Sequence, residues 1–288
     1  IGKEGAPREL GALFGGSLSK ELLLDISDRQ LLIACGAGAG LASVYQVPFA
    51  SALFVLETLG VSWKLKNIII ILATTYVSAY CAKPIVGGHT LYIVDKVTID
   101  SSSFIQAIIL ALSVTPFAII FGYFAKKASS HRITGKEILW TLPFAFLILG
   151  GLSAYLPIFM GNGQVLAQWI FSGNSSAYLP VILIIKCLLV CLLLRGGAYG
   201  GTLTPSFALG VGTGYLITVL LGNFGFSHSL SLGMLLGATV FLGTTLDAPL
   251  TGIALVVGFT GTGGVIVFPL ILASILSRII NNKWKERV

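Results

Sequence analysis

The stretch GAGAGLASVYQVPFASALFVLE (residues 36–57) is the most informative part of this sequence, because its pattern occurs twice. The second copy reads GATVFLGTTLDAPLTGIALVVG (residues 237–258). Each copy is a run of small and apolar residues, then a proline, then a further apolar run, which predicts two helices joined at a proline break. The copies pair Gly36 with Gly237, Leu41 with Leu242, Pro48 with Pro249 and Val55 with Val256. The sequence therefore predicts a duplicated helical unit.

A second pair of motifs precedes these copies in the same order. GKEGAPRELG (2–11) matches GTLTPSFALG (201–210), and in both a glycine-rich entry leads to a short apolar helix that ends in glycine. Two motif pairs in one order favour duplication over chance matches of small residues. We expect a single domain over 1–288, with the remainder of a first repeat at 1–96 and a second repeat at 97–288.

Composition predicts the class of protein. Hydrophobic residues make up 55% of the chain and charged residues 10%, and the mean hydropathy is +0.93. A membrane span needs about 20 mostly apolar residues, and the uncharged runs exceed this length. They lie at 30–56, 101–125, 138–185, 196–246 and 248–277. We predict an all-α, polytopic integral membrane protein that contacts the lipid bilayer directly.

Glycine, proline and polar residues interrupt these runs, for example at Gly150 and Gly151 and at the polar stretch FGFSHS (224–229). The chain contains 35 glycines and 10 prolines, so we expect broken and tilted helices of unequal length, several of them too short to span. Irregular backbone at membrane depth is tolerated only inside protein or beside a water-filled path. The pattern therefore indicates transport, and the arrangement expected for a transporter with two repeats is an inverted repeat.

The formal net charge of +7 does not indicate nucleic acid as a partner. Three clusters of basic residues lie in short loops and the tail, where the positive-inside rule places them on the cytoplasmic side together with the C-terminus. They include Lys64, Lys66, Lys126, Lys127, Arg132, Lys136, Lys283, Lys285 and Arg287.

Neither a cofactor nor a metal centre is predicted. The cysteines lie in apolar runs without paired spacing, and His89, His131 and His228 stand far apart in the sequence. Because the chain opens on a polar glycine loop with no leading span, we expect the sequence to be incomplete at its N-terminus. We expect no cytoplasmic regulatory domain, because the chain ends shortly after its last apolar run.

The two glycine-rich helix starts predict an anion site. A helix N-terminus carries unpaired N–H groups and about half a positive charge. Two such ends, one from each repeat, would hold an anion without a buried lysine, and glycine allows close approach of the backbone. Repeat transporters place such sites at the repeat interface, near the bilayer midplane.

These motifs resemble the CLC family of chloride channels and proton-coupled chloride exchangers. GKEG (2–5) is similar to the G(K/R)EG-P filter motif of that family, and GTLTP (201–205) to its GxFxP motif. The proline-containing helices that follow each filter segment match as well. The resemblance implies a CLC chloride channel-like core and a voltage-gated chloride channel or H+-coupled exchanger. It also implies chloride or a similar small anion as substrate, protons as a further partner, a homodimer, and a location in a bacterial plasma membrane.

Position by position, the resemblance assigns a role to each filter residue. Glu4 is the gate, a carboxylate that competes with the anion for the outer site. The backbone amides of Lys3, Glu4 and Gly5 line the outer anion site. Those of Thr202 and Leu203 line the central anion site. Gly2 and Gly201 are the filter glycines, and Pro205 is the filter proline.

Several positions depart from the family pattern. Ala6 stands where the family has proline, Leu203 replaces the phenylalanine of GxFxP, and the serine and tyrosine ligands of the central site find no match. At the inner proton-relay position, coupled exchangers commonly have two adjacent acids, whereas this chain has Glu57 and Thr58. Threonine cannot titrate, so the choice between channel and exchanger stays open, as does a structural role for Glu57.

A buried lysine and three rival functions complete the sequence-based hypotheses. Lys186, inside an apolar run, fits a satisfied buried charge or an anion path equally well. A fluoride-exporting branch of the family usually has an acid in the second filter motif, where Thr202 and Leu203 stand here. Two further alternatives fit the sequence less well than anion transport does. One is a transporter of an organic solute, and the other is an intramembrane enzyme that uses Glu4 or Glu57 with Asp247 as an acid pair. We expect no enzyme, because no nucleophile–base pair accompanies these acids.

Overall fold

The computed structural model describes residues 1–174, 177–224 and 229–286, and its secondary structure is helical. A π-helical turn, Phe54–Thr58, continues the third helix, and 3-10 turns lie at Gly135–Glu137, Pro157–Phe159 and Gly264–Ile266. The α-helices of the described residues are α1 (Gly5–Glu21), α2 (Ile26–Tyr45), α3 (Pro48–Leu53), α4 (Leu65–Val86), α5 (Ser101–Ser130), α6 (Ile138–Tyr155), α7 (Gln164–Phe171), α8 (Leu179–Arg195), α9 (Leu203–Asn223), α10 (Leu230–Leu246), α11 (Pro249–Thr260) and α12 (Val267–Lys285).

Five helical stretches among the described residues are long and apolar enough to cross a membrane. They are Leu65–Val86, Ser101–Ser130, Gly135–Tyr155, Leu203–Asn223 and Gly264–Lys285. Shorter apolar helices lie at Pro48–Thr58, Leu230–Leu246 and Pro249–Thr260. The predicted fold class is confirmed, with helices of unequal length in an integral membrane protein.

The two aligned segments have the same backbone conformation at their proline breaks. Gln46 directly follows α2 and Asp247 directly follows α10, and both residues are left-handed with φ 55°. In each copy one non-helical residue follows, and then Pro48 or Pro249 begins the next helix. Proline suits this first helical position because its missing N–H would have no partner within the helix.

The copies also agree in how their helices pack. A Cβ atom at Gly36 would lie 2.0 Å from the carbonyl oxygen of Gly11, so α1 and α2 touch through glycine. A Cβ atom at Gly237 would lie 2.3 Å from the carbonyl oxygen of Gly210, where α9 and α10 touch. Because the sequence alignment pairs Gly11 with Gly210 and Gly36 with Gly237, the same contact recurs in both copies. Small residues let membrane helices approach this closely.

Some predicted breaks differ from the structure. Gly150 and Gly151 lie inside α6 without interrupting it, because nothing approaches either residue closely and the helix simply continues. The break predicted at 224–229 follows the end of α9, but residues 225–228 lie outside the described residues.

The two glycine motifs meet in space. The Gly2 N–H donates to the Gly201 carbonyl at 2.7 Å, and the Gly201 N–H donates to the Gly2 carbonyl at 3.3 Å, as in a short antiparallel pair of strands. Helix α1 begins three residues after this contact and α9 begins two residues after it. The contact therefore brings both helix starts to one place.

Candidate functional site

The Glu4 carboxylate lies where these two helix starts meet. The residue is 0% exposed. Its Oε1 atom accepts a hydrogen bond from the N–H of Leu203, the first residue of α9, at 2.8 Å. Its Oε2 atom lies 3.4 Å from the hydroxyls of Tyr45 and Thr204, at the long end of the hydrogen-bond range. One close N–H and two distant hydroxyls hold the carboxylate.

Two glycines make room for this carboxylate. A Cβ atom at Gly2 would lie 2.0 Å from Oε2 of Glu4, and a Cβ atom at Gly201 would lie 2.1 Å from Oε1. Both distances are far shorter than any van der Waals contact, so no other residue type fits while the carboxylate stays in place. Close approach of backbone to the bound group therefore explains both filter glycines.

The electrostatic environment of Glu4 is a helix end rather than a cation. Ion pairs among the described residues join Lys66 to Asp28 and Lys285 to Asp247, so Glu4 takes part in none of them. The Lys3 ammonium lies 5.6 Å from the centre of the Tyr45 ring. The unpaired N–H groups and the dipole at the start of α9 offset the buried charge.

A cavity of about 840 Å³ reaches Glu4 from one side. Thr202 and Leu203 line its inner end, and Lys126 at the end of α5 and Lys285 at the end of α12 line it as well. Water and small anions can therefore approach the carboxylate from the face on which two of the predicted basic clusters lie.

A cluster of aromatic rings is buried near Glu4. Tyr45 lies 5.3 Å from Phe259, and Tyr92 stacks on Phe207 at 4.5 Å between ring centres. These four residues are buried, with at most 4% of their surface exposed. These four rings form the aromatic barrier, and the hydroxyl of Tyr45 lies 3.4 Å from the Glu4 carboxylate.

The predicted anion ligands occupy one small region. Gly5 begins α1, and a Cβ atom there would lie 3.7 Å from the Gly200 Cα. Pro205 is buried in the first turn of α9. Glu4 contacts the amide of Leu203, which the resemblance assigns to the central site.

Comparisons with known proteins identify the family. Residues 1–282 match the family model described as voltage gated chloride channel. The chain belongs to this family. It is 28% identical to the voltage-gated ClC-type chloride channel ClcB of Citrobacter koseri, over 97% of this chain and 69% of that protein. It is 27% identical to the H(+)/Cl(-) exchange transporter ClcA of Vibrio cholerae, over 96% of this chain and 61% of that protein.

Solved structures of the family share the fold. A CLC-type fluoride/proton antiporter superposes with a TM-score of 0.81 at 21% identity, covering 98% of this chain and 70% of the other. A slow cyanobacterial Cl-/H+ antiporter gives a TM-score of 0.81 at 20% identity, covering 98% and 68%. At these identities the likeness concerns the fold alone.

In this family member the carboxylate of Glu57 is bound to a helix start. Its Oε2 atom accepts from the Thr251 N–H at 2.7 Å and from the Thr251 hydroxyl at 2.8 Å, and its Oε1 atom accepts from the Leu250 N–H at 3.2 Å. These donors belong to the first turn of α11. Glu57 therefore caps α11 from another part of the chain, which supports its structural interpretation.

Thr58 and Lys186 lie in different surroundings. The Thr58 hydroxyl is buried and has no hydrogen-bond partner within the described part of the chain. The Lys186 ammonium donates to the carbonyls of Phe159 at 2.9 Å and Gly161 at 3.0 Å, with 1% of the residue exposed. Of the two hypotheses for Lys186, the satisfied buried charge agrees with these contacts.

Sequence reasoning missed the two hydroxyls nearest the Glu4 carboxylate. Tyr45 is the last residue of α2 and the only ring in its stretch of small residues, 36–46, which could have served as a signal. Thr204 lies inside GTLTP, but nothing in the motif indicates where its hydroxyl points. Long-range contacts such as that of Tyr45 with Glu4 depend on packing that local patterns do not encode.

Proposed function

We propose that this chain carries chloride or similar small anions across the membrane and that Glu4 is the gate of the pathway. The observation that carries the proposal is the hydrogen bond from the Leu203 N–H to the buried Glu4 carboxylate. A helix start suited to an anion is occupied by an anionic side chain of the same protein. The carboxylate is thus a tethered substitute for the transported ion.

Opening follows from this substitution. When the carboxylate leaves the Leu203 N–H or becomes protonated, the start of α9 becomes available to an anion from the cavity. The amides of Lys3, Gly5 and Thr202 are the further ligands that we propose. Moving the Glu4 carboxylate away costs little free energy, because a single close hydrogen bond holds it. Among the described residues it forms no ion pair.

We place the cavity and the C-terminus on the cytoplasmic side of a bacterial plasma membrane. The cavity is bordered by Lys126 and Lys285, which lie near the C-terminal ends of two helices long enough to span. Lysine and arginine near span ends favour the cytoplasmic face, and the relatives named above are bacterial. Glu4 and the aromatic barrier would then close the pathway toward the outside.

The proposal covers a channel and an H+-coupled exchanger, which differ in whether protons move with the anion. Thr58 cannot titrate, and Glu57 is bound to the start of α11. Neither residue therefore offers a free carboxylate for a proton relay. Glu4 alone can still carry a proton through the gate, since its carboxylate faces the cavity.

We further propose a homodimer. The outer faces of α3 and α11, one from each copy of the repeat, form an apolar groove of about 490 Å³. Phe49 and Leu250 line the groove and are 55% and 46% exposed. A second copy of the chain would cover this face with matching apolar surface.

Chloride flux from proteoliposomes tests the gate assignment. The intact protein and its Glu4→Gln variant are compared between acidic and neutral pH. We expect Glu4→Gln to keep chloride flux, to remove its pH dependence and to abolish any proton movement, because glutamine keeps the size of the side chain but cannot ionise. Glu9→Gln, at an exposed acid of α1, is the control and should behave as the wild type.

Three outcomes decide between the readings. Identical pH profiles for wild type and Glu4→Gln would remove Glu4 as the gate. Fluoride efflux that far exceeds chloride flux would favour the fluoride-exporting reading. In an isotope-flux measurement, we expect the labelled anion to cross the membrane chemically unchanged. Flux that requires a chemical change in the solute would favour an enzyme.

A further inference from the structure

A cluster of basic side chains lies where the end of α5, the start of α6 and the end of α8 meet. Arg132 and Lys136 belong to the segment between α5 and α6, and Arg195 is the last residue of α8. We call these three residues the basic patch. The Ile133 N–H donates to the Arg195 carbonyl at 2.9 Å, and the Arg195 guanidinium donates to the His131 carbonyl. These contacts hold the segment against α8.

The positive charge of the basic patch is not neutralised by an acid of the described chain. The ion pairs found among the described residues lie elsewhere, at Lys66 and at Lys285. Glu137 follows Lys136 in the sequence, but its carboxylate forms no ion pair with the patch in this part of the chain. The patch therefore attracts a negatively charged ligand.

The Arg132 guanidinium is held in place with hydrogen-bond donors to spare. It lies 3.9 Å from the centre of the Tyr199 ring, and its Nη2 atom donates to the Ser129 hydroxyl at 3.1 Å. Its Nε atom has no partner within the residues that the structure describes. A guanidinium carries several donors in a planar fork, which matches the oxygens of a phosphate group. The side chain is thus suited to a phosphate.

A surface suited to lipid begins directly beside the basic patch. The buried residues of α6 are Ala145 and Ser153, so the rest of this apolar helix faces outward at least in part. Trp140, in the first turn of α6, is 81% exposed, and Tyr199 is 72% exposed. Tryptophan and tyrosine are enriched at the level of the lipid headgroups. The patch therefore lies at headgroup depth, and apolar surface leads from it along α6.

A phosphate joined to apolar chains fits this arrangement. We propose that Arg132, Lys136 and Arg195 bind the headgroup phosphate of an anionic phospholipid, whose acyl chains lie along α6. Basic pockets at helix ends are known to bind such headgroups. Ser129, which accepts from Arg132, also lines the cavity that we place on the cytoplasmic side, where the leaflet carries anionic lipids. The site is separate from the gate and goes beyond the proposed transport function.

Native mass spectrometry of the intact protein tests the site. Phosphatidylglycerol, which is anionic, and phosphatidylcholine with the same acyl chains are titrated in detergent. We expect the wild type to prefer phosphatidylglycerol and Arg132→Gln to bind it about 5-fold more weakly, the effect of one cation near a headgroup. Arg132→Lys keeps the charge but not the fork, and its affinity should lie between these two. Lys64→Gln removes an exposed cation of another basic cluster and should bind as the wild type does.

Other results would overturn the inference. Equal affinity of the wild type for the two lipids would do so. An equal loss in Lys64→Gln and Arg132→Gln would show attraction by surface charge in general. Displacement of the lipid by an equal concentration of inorganic phosphate would indicate a site for a free anion instead.

A map of the wild type decides the question even if a variant does not fold. Electron cryo-microscopy in phosphatidylglycerol nanodiscs should show headgroup density within hydrogen-bond distance of the Arg132 guanidinium. Ordered lipid only at the groove of α3 and α11 would contradict the site. Lipid bound at the basic patch of a protein without chloride flux would support the site, whereas the proposed function would fail.

Discussion

At the scale of single residues, the Glu4 carboxylate touches glycine on two sides, and each glycine comes from a different copy of the repeated motif. Gly2 and Gly201 would each place a Cβ atom within about 2 Å of its oxygens. The space is therefore matched to a carboxylate or to an ion of similar size. Because the carboxylate ends a flexible side chain, it can leave this space while the backbone stays where it is.

Gly201→Ala should expel the carboxylate. The new Cβ atom would lie 2.1 Å from Oε1, and moving the flexible side chain costs less than moving the paired backbone. The hydrogen bond from Leu203 would be lost, which weakens the closed position by about 1.5–3 kcal/mol. We expect higher chloride flux at neutral pH and a flatter pH profile, measured in proteoliposomes.

Gly150→Ala is the matched control for this change, since nothing lies within 4 Å of a Cβ atom at that position. It should leave flux and its pH profile unchanged. If Gly201→Ala also kept the wild-type pH profile of chloride flux, the position of the Glu4 carboxylate would not depend on a glycine at residue 201. Our explanation of the two filter glycines would then be wrong.

At the scale of helices, two acids from the early part of the chain bind two helix starts from the late part. Glu4 binds the start of α9 through one N–H, with two hydroxyls at 3.4 Å. Glu57 binds the start of α11 through two N–H groups and a hydroxyl at 2.7–3.2 Å. Each carboxylate has three such contacts, but two of those of Glu4 are long at 3.4 Å, so we interpret Glu57 as a fixed cap and Glu4 as the movable one.

Glu57→Ala should therefore lower stability rather than change gating. Loss of a helix cap costs about 0.5–2 kcal/mol. We expect a lower thermal unfolding midpoint in detergent and an unchanged ratio of proton to chloride flux. Asp28→Ala, which removes an exposed ion pair with Lys66, is the comparison and should cost less. A changed flux ratio in Glu57→Ala with an unchanged midpoint would restore Glu57 as a proton relay.

The sequence predicted the elements better than the contacts between them. The paired prolines Pro48 and Pro249 placed the starts of α3 and α11 correctly, because proline acts locally on the backbone. The convergence of the two glycine motifs was also predictable from their repeat. The capping of α11 by Glu57 was not predictable from the sequence. Nothing near Glu57 indicates that it binds a helix start almost two hundred residues later. Gly150 and Gly151 were read as a break because glycine permits irregular backbone without requiring it.

At the scale of the whole molecule, two hollows lie in different places. A cavity bordered by Lys126 and Lys285 reaches Glu4. The apolar groove of α3 and α11 is a separate feature of the outer surface. Association through the groove, as proposed above, would therefore leave the cavity at Glu4 uncovered.

Leu250→Trp tests the homodimer at this groove. Leu250 is partly exposed and lines the groove, so a larger ring there should prevent close contact between subunits. We expect the mass measured by light scattering in detergent to fall from dimer toward monomer. Leu147→Trp, at an exposed position of α6, should leave the mass unchanged. A monomeric wild type, or an unaffected dimer in Leu250→Trp, would contradict the assignment of this interface.

The contact between Glu4 and Leu203 joins residues that are 199 positions apart in the chain. A ribosome adds about 5–20 residues per second, so about 10–40 s pass between the synthesis of one partner and that of the other. During this interval Glu4 has already been synthesised, but the start of α9 that will donate a hydrogen bond to it has not. We expect the first segment to wait at the translocon or at the lipid headgroups, in contact with water, until the later segment is inserted. The ion pathway is then among the last parts of the protein to be assembled.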